Sequence, residues 1–152
     1  MASAASKQSW AWATVSPAAK RSRIRGRGRE SVLVSFKLAT VTEISRLYTG
    51  SDGQTHIEFM DLESHPELGT LHRAEGIQFR TAPPGHFIDW HPAPRRQYVI
   101  TISGQVEIGL GDGTVHRFGP GHVNLAEDLT GQGHTTRVIG DRPRVTATIP
   151  LI

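Results

Sequence analysis

Two histidines, His91 and His134, lie in glycine-framed segments of this 152-residue chain where a chemical site could be built. The first segment reads GHFIDWHPAPRRQYVITISG and the second reads GHVNLAEDLTGQGHTTRV. Imidazole nitrogen binds divalent metals and also accepts or donates protons near neutral pH. The chain contains no cysteine, so thiolate ligands and thiolate nucleophiles are excluded. Any metal would be held by nitrogen and oxygen donors.

The elements that must position these histidines are short β-strands. From residue 31 onward, β-branched and aromatic runs alternate with glycine- and proline-rich turns, a pattern typical of antiparallel sandwiches and barrels. A Ser-Asp-Gly sequence predicts a hairpin turn between RLYTG and QTHIEFMDLE. We therefore predict a single all-β domain over residues 31–152, preceded by a flexible basic extension over residues 1–30.

Alternation along the segment QYVITIS separates a polar face from an apolar face. Successive strand residues point to opposite sides of a sheet, so Gln97 and Thr101 share one face. Tyr98, Ile100 and Ile102 form the other face, which is entirely apolar. A facing sheet or a partner subunit must cover that face, and we expect a homodimer.

The first segment resembles the first sequence motif of the cupin superfamily, a group of small jelly-roll proteins. That motif reads glycine, five residues, histidine, one residue, histidine, three or four residues, glutamate, six residues and glycine. Gly85, His91 and Gly104 stand at the matching positions. Ala93 replaces the second histidine and Gln97 replaces the glutamate, while every spacing is preserved.

The second segment resembles the second cupin motif, which reads glycine, five residues, proline, one residue, glycine, two residues, histidine, three residues and asparagine. Gly121 opens the segment, Glu127 takes the place of the proline, and Val138 takes the place of the asparagine. The loop before Gly131 is two residues longer than in the motif, and His134 then stands at the histidine position.

The resemblance extends from Gln78 to Val138 and implies a double-stranded β-helix, the jelly-roll barrel of cupins, with a metal site inside one end. Here the family's ligand positions are occupied by His91, Gln97 and His134. Two imidazoles and one amide oxygen are thus the implied ligands. The expected cofactor is a divalent ion such as Fe, Mn, Zn or Ni.

Other side chains near His91 are candidates to complete this site or to line a ligand pocket. Because residues two apart in a strand share a face, Asp89 is predicted to lie beside His91 as a carboxylate ligand. His86 lies further out, toward the barrel mouth, and Thr101 is on the inner face of its strand. By the same alternation Arg95 leans toward the cavity, where a guanidinium can bind a carboxylate or phosphate. A surface ion pair is the alternative for Arg95.

Both motif histidines also have structural alternatives. His91 precedes a proline and can be a hydrogen-bonded residue at a strand end, and His134 can pair with Asp128 or Glu127 across the intervening loop. Five further histidines are predicted at solvated surface or turn positions, namely His56, His65, His72, His116 and His122.

Two functions from different classes are consistent with these residues. The first is a metal-dependent enzyme that acts on a small molecule, of the isomerase, lyase or dioxygenase type, with the ion as a Lewis acid. The second is a metal-free binding module for a small anionic ligand. A barrel that serves only as a dimerisation scaffold is a third alternative.

The basic charge of the chain is concentrated at its N-terminus. The chain has 17 Lys and Arg against 14 Asp and Glu, and residues 1–29 hold seven of the basic residues and none of the acidic ones. The remainder is net acidic, so no nucleic-acid role is expected for the core. No apolar run is long enough for a membrane helix. We expect a cytoplasmic protein, or an organellar one if residues 1–29 are a transit peptide; an arm that binds nucleic acid is a further alternative for this segment.

Overall fold

The computed structural model describes residues 44–152, so the extension predicted over residues 1–30 and the first residues of the predicted domain lie outside the described part. The strands are β1 (Ile44–Thr49), β2 (Thr55–Met60), β3 (Gln78–Ala82), β4 (Phe87–His91), β5 (Gln97–Ser103), β6 (Gln105–Gly109), β7 (Val115–Phe118), β8 (Val123–Glu127), β9 (His134–Ile139) and β10 (Arg144–Pro150). One turn of 3₁₀ helix, Pro66–Gly69, lies between β2 and β3. The described residues contain no helix that is long and apolar enough to cross a membrane.

The strands form two sheets in which all neighbours but one pair are antiparallel. The larger sheet has the order β2-β1-β8-β5-β10-β3, the smaller has the order β4-β9-β6-β7, and β1 runs parallel to β8. Tight turns join the strands. Gly104, between β5 and β6, has a φ of 74°, and a Cβ there would lie 2.6 Å from the carbonyl oxygen of Pro143, so only glycine fits. The architecture confirms the predicted all-β double-stranded β-helix.

Apolar side chains fill part of the space between the two sheets. Leu47 of β1 packs with Val106 and Ile108 of β6, and Leu110 and Phe118 complete this apolar cluster. Leu47 and Val106 are each only 1% exposed. Burial of one such side chain stabilises the fold by about 1.5–3 kcal/mol. The apolar cluster therefore ties the larger sheet to the smaller one.

Beyond the apolar cluster, a cavity of about 350 Å³ lies between the same sheets. Its walls come from β3, β5, β8 and β10 on one side and from β4, β6 and β9 on the other. The alternation predicted for β5 is confirmed, since Gln97 and Val99 line the cavity while Tyr98 and Ile100 line a shallow groove on the outer side.

The outer groove lies on the apolar face of β5, from which the homodimer was predicted. Leu68 and His72, from the loop between β2 and β3, line this groove together with Tyr98, whose hydroxyl lies 3.3 Å from Nδ1 of His72. A loop of the chain itself therefore covers part of the apolar face. Ile102 of the same face is 47% exposed. The homodimer stays a prediction, and sedimentation equilibrium that showed a monomer at every concentration would contradict it.

Candidate active site

His91 and His134 meet on two neighbouring strands at the cavity. His91 ends β4, His134 begins β9, and the two residues are direct partners in the strand ladder. Their ring centres are 4.5 Å apart, with 53° between the ring planes. Both side chains line the cavity. Histidines from two distant sequence motifs thus lie side by side.

A buried carboxylate fixes the orientation of His134. Nδ1 of the ring donates a hydrogen bond to Oδ2 of Asp128 over 2.6 Å, and the hydroxyl of Thr55 donates to the same oxygen over 3.0 Å. Asp128 is fully buried. In the neutral ring, the proton on Nδ1 leaves the lone pair on Nε2, as in imidazoles that bind metals or accept protons. The pairing with Asp128 is the alternative expected from the sequence, yet it leaves the ring on the cavity wall.

The backbone orients His91 in the same sense. Its Nδ1 lies 2.7 Å from the carbonyl oxygen of Asp89. A carbonyl oxygen only accepts hydrogen bonds, so Nδ1 again carries the proton. Within residues 44–152, Nε2 of neither ring has a hydrogen-bond partner. In its neutral form, each imidazole therefore has an Nε2 lone pair available for a ligand.

A glycine allows β4 and β9 to approach closely at the histidine pair. Gly133 has a φ of 75°, and a Cβ at this position would collide with the carbonyl group of His91. Only glycine tolerates both conditions. The turn after β4 is tied to the loop after β8 because the N–H of Ala93 donates to the carbonyl oxygen of Asp128 over 2.9 Å.

The remaining positions of the first motif also face the cavity. Ala93, at the place of the family's second histidine, and Gln97, at the place of the glutamate, both line it. A methyl group therefore stands on the wall where the family places an imidazole. His86 lines the cavity as well, and its contact with a ligand stays a prediction.

Asp89 does not lie on the cavity wall, contrary to the prediction. Ile88 pairs with Thr136 and His91 pairs with His134, so three steps along β4 correspond to two along β9. The extra residue forms a β-bulge, which inverts the alternation used to place Asp89 beside His91. Ile88 and His91 line the cavity instead. The carboxylate of Asp89 accepts a hydrogen bond from the backbone N–H of the next residue.

Arg95 also lies outside the cavity, which corrects a second prediction. Its guanidinium is 3.2 Å from the carboxylate of Glu75, and both side chains are more than half exposed. Such a surface pair typically contributes less than about 1 kcal/mol. The proline-containing turn before β5 is not extended, so the alternation that holds from Gln97 onward does not continue back to Arg95.

Thr101 is buried behind the cavity wall and holds an arginine that the sequence prediction missed. Thr101 is 1% exposed and does not itself line the cavity. Its Oγ1 accepts hydrogen bonds from Nε and Nη2 of Arg144, over 3.3 and 3.0 Å. Arg144 opens β10 and lines the cavity, and burial lowers its pKa to about 10. The alternation of Arg144, Thr146 and Thr148 in the sequence of β10 could have predicted this position, because these three residues share the face of the strand that lines the cavity.

The wall of the cavity is basic. Arg80 and Arg144 line it together with three histidines, and none of the described residues that line it is an aspartate or glutamate. Uncharged polar groups on the wall belong to Thr81, Gln97, Asn124, Thr136, Thr146 and Thr148. The remainder is mostly aliphatic. This composition suits a small ligand with negative charge.

His122, predicted at a solvated turn, is in fact buried. It is 5% exposed, and its ring stacks on Phe118 with ring centres 3.7 Å apart. Nε2 lies 2.9 Å from the hydroxyl of Ser45, which itself donates to Asn124 over 3.1 Å. Burial, with a smaller contribution from the charge of Arg144, lowers the pKa of His122 to about 4. His122 is therefore a neutral core residue at physiological pH.

The donors around the cavity suit one divalent ion through the histidine pair. No group of three His, Asp or Glu side chains within residues 44–152 is arranged to hold an ion, so the available set is Nε2 of His91, Nε2 of His134 and the amide oxygen of Gln97. Two imidazoles bound to one ion at about 2.1 Å have ring centres roughly 4.5 Å apart when the angle at the ion is about 90°, and roughly 5.2 Å apart at the tetrahedral angle typical of zinc. The observed separation is 4.5 Å. This separation matches the value for a right angle, and Gln97, a further potential oxygen donor, lies on the same wall.

Solved structures similar to this chain include a conserved protein without a stated activity and two enzymes. A conserved protein with a double-stranded β-helix domain from Klebsiella pneumoniae is 25% identical over 49% of this chain and 64% of its own, with a TM-score of 0.40. Oxalate decarboxylase from Bacillus subtilis, which has Mn(II) centres, is 21% identical over 67% of this chain and 26% of its own, with a TM-score of 0.39. The epimerase RmlC from Legionella pneumophila is 14% identical over 70% of this chain and 63% of its own, with a TM-score of 0.39.

These alignments cover less than two thirds of each of the three solved chains. No family model matches the chain, and no curated protein matches it. The strand order, the two facing sheets and the cavity between them agree with the double-stranded β-helix that the two sequence motifs predicted.

Proposed function

We propose that this chain is a small-molecule enzyme of the cupin type that holds one divalent ion between His91 and His134, with the amide oxygen of Gln97 as the third ligand. The observation that carries the proposal is the 4.5 Å separation of two imidazoles whose Nδ1 atoms are both engaged elsewhere. A bound Fe, Mn, Zn or Ni ion would supply Lewis-acid polarisation of a substrate oxygen. Isomerase, lyase and dioxygenase reactions all fall within this proposal.

The chain's own groups would perform three tasks in this enzyme. Asp128 keeps His134 in the tautomer that offers Nε2 and restrains rotation of the ring. Asn124 and Thr148 provide uncharged hydrogen-bonding groups on the wall that can orient a substrate. Aliphatic wall residues such as Val99 limit the water beside the bound molecule.

Metal analysis of the full-length protein tests the proposal. Protein stripped of metal and reloaded separately with Mn²⁺, Fe²⁺, Ni²⁺ or Zn²⁺ is expected to retain about one ion per chain for at least one metal, with a higher melting temperature. His91→Ala and His134→Ala should abolish retention because each leaves a single imidazole. Asp128→Asn should weaken retention by about 10- to 100-fold, since it removes only the orienting carboxylate.

His86→Ala is the matched control for these variants. His86 lines the same cavity but is not among the proposed ligands, so its removal should leave metal retention at the wild-type level. Wild-type protein that retains no stoichiometric metal after reloading, with an unchanged melting temperature, would contradict the proposal. Retention that survives His134→Ala would contradict it equally.

A metal-free binding module for a small anionic ligand is the second candidate function. Two observations favour it: Ala93 stands where the family has another imidazole, and the described lining residues include two arginines and no acid. The arginines concerned are Arg80 and Arg144 rather than the predicted Arg95. Under this alternative, wild-type protein retains no metal yet binds small anions, so metal analysis separates the two functions.

The predicted cytoplasmic location and its organellar alternative both depend on residues 1–29, which lie outside the described part. Both stay predictions. A fluorescent fusion of the full chain, compared with one that lacks residues 1–29, distinguishes them, because deletion changes the location only if the segment is a transit peptide.

A further inference from the structure

Arg144 is a partly buried cation on the cavity wall without a carboxylate partner in the described part of the chain. Its recorded hydrogen bonds there go from Nε and Nη2 to the uncharged hydroxyl of Thr101. Four other arginines in that range do form ion pairs with glutamates, namely Arg46, Arg95, Arg96 and Arg117. Arg144 therefore differs from these surface arginines in both burial and pairing.

A buried cation without a counter-ion is unfavourable, and proteins usually pair such groups. Burial lowers the pKa of Arg144 to about 10, which is still well above neutral pH, so the guanidinium stays charged. An anion that entered the cavity would offset this unfavourable burial. The cavity should therefore bind a negatively charged group favourably at the position of Arg144.

The hydrogen bonds to Thr101 determine which edge of the guanidinium remains free. A guanidinium has five N–H groups in a fixed plane. Thr101 engages the edge formed by Nε and Nη2. The end of the group, with one N–H from Nη1 and one from Nη2, is left available. Two parallel N–H groups of this kind match the two oxygens of a carboxylate.

We propose that Arg144 binds the carboxylate of a small organic acid through this free end, with Thr101 as the residue that positions it. The inference rests on the proposed function in one respect, namely that the cavity receives a small-molecule ligand. The ligand is small because a cavity of about 350 Å³ lies near the lower end of the usual range for ligand sites. Arg80, on the neighbouring strand β3, adds a second positive charge to the same wall.

A pair of isosteric probes tests the proposal on the full-length protein. Butyrate and butyramide have the same size and differ in charge, and their binding can be followed by titration in two-dimensional NMR spectra. Butyrate is expected to bind at least about tenfold more tightly than butyramide, as charge-assisted hydrogen bonds are the stronger kind. Inorganic phosphate, which a guanidinium can also bind through two oxygens, is the third probe, and it is expected to bind more weakly than butyrate because it has no apolar part to pack against the aliphatic wall.

Variants assign this preference to the proposed residue. Arg144→Gln should weaken butyrate binding by about 10- to 100-fold and leave butyramide binding unchanged. Arg144→Lys keeps a positive charge but lacks the two parallel N–H groups of the guanidinium, so an intermediate loss of butyrate affinity is expected. Arg95→Gln is the matched control, because Arg95 pairs with Glu75 outside the cavity, and it should bind butyrate like the wild type.

Three outcomes overturn the proposal: butyrate and butyramide binding equally well or not at all, phosphate binding more tightly than butyrate, or Arg144→Gln and Arg144→Lys both binding butyrate like the wild type. Because a metal ion also attracts carboxylates, the titrations are run on metal-stripped and on metal-loaded protein. A charge preference in stripped protein that depends on Arg144 supports this inference even if no metal is retained. Stoichiometric metal without that preference supports the proposed enzyme and overturns the inference alone.

Discussion

The apolar cluster and the cavity lie between the same two sheets, but their inward-facing side chains differ in kind. In the cluster, Leu47 and Val106 are almost completely buried among other apolar groups. Along the cavity, the same strand alternation turns His134 and Arg144 inward. Strand β6 contributes to both regions, since Ile108 packs in the cluster and also touches the cavity.

This difference separates the source of stability from the site of binding. Apolar burial in the cluster contributes favourably at each residue. Some polar groups of the cavity, such as His134 and Thr146, are buried, and Arg144 lacks a counter-ion among the described residues, so these groups contribute little or are unfavourable. Substitutions in the cluster should therefore change stability without changing binding, and substitutions in the cavity should change binding with at most a small change in stability.

The largest effect is expected for Leu47→Ala in the apolar cluster. Leu47 is 1% exposed, and removing its side chain loses apolar burial and leaves a void, which should lower the free energy of unfolding by about 2–5 kcal/mol. Urea unfolding monitored by circular dichroism measures this loss. Below the unfolding transition, ligand and metal binding should match those of the wild type.

Ile88→Ala is the matched control in the cavity. Ile88 has a side chain of the same size, but it is 42% exposed and lines the open space, so its truncation should cost less than about 1 kcal/mol. If the two substitutions destabilised the protein equally, it would be wrong that the apolar cluster stabilises the fold more than the cavity lining does.

The next effect in size is a pH dependence that comes from His122 at the edge of the cluster. Its pKa of about 4 lies below the ordinary value of 6.5, because of burial and, to a smaller extent, the charge of Arg144. As pH falls from 6.5 toward 4, the unfolded chain takes up a proton that the folded chain does not. The contribution of neutral His122 to the free energy of unfolding is therefore fully present above pH 6.5, and the free energy of unfolding declines by roughly 3 kcal/mol between pH 6.5 and 4. Unfolding free energies at several pH values measure the decline.

Two non-titrating variants isolate this contribution. His122→Gln keeps a hydrogen-bonding group near Ser45, whereas His122→Phe keeps the stacking on Phe118. Relative to the wild type, both should lose less stability between pH 6.5 and 4, although they differ in stability at neutral pH. Curves for either variant that run parallel to the wild-type curve would show that His122 titrates normally.

The same comparison shows which features could be predicted from the sequence. The all-β class and the inward face of β5 followed from local patterns, because alternation is a property of an uninterrupted strand. The pairing of His91 with His134 could be predicted because each histidine stands at the matching position of a motif with defined spacing. These features depend on residues that are close in the sequence or on a motif that fixes their spacing.

The features that were missed depend on how distant strands meet. Asp89 was misplaced because the bulge in β4 is defined only by its pairing with β9. Arg144 was overlooked because polar alternation reads equally well as a solvent-facing side, and only the position of β10 between β5 and β3 turns it toward the cavity. His122 followed a turn glycine and looked exposed until Phe118 and Ser45 were placed around it.

The smallest expected effect is a gain in stability from Arg144→Met. Methionine occupies a similar volume without the charge, so it removes the unfavourable burial of an unpaired cation while giving up two hydrogen bonds to Thr101. The net change should be a stabilisation of about 1 kcal/mol, measured by urea unfolding at neutral pH. Thr101→Val, which leaves the arginine in place without its positioning hydroxyl, should not give this gain. A group that is retained for binding is expected to be dispensable for folding. If Arg144→Met destabilised the protein by as much as Leu47→Ala, Arg144 would instead be a residue that stabilises the fold.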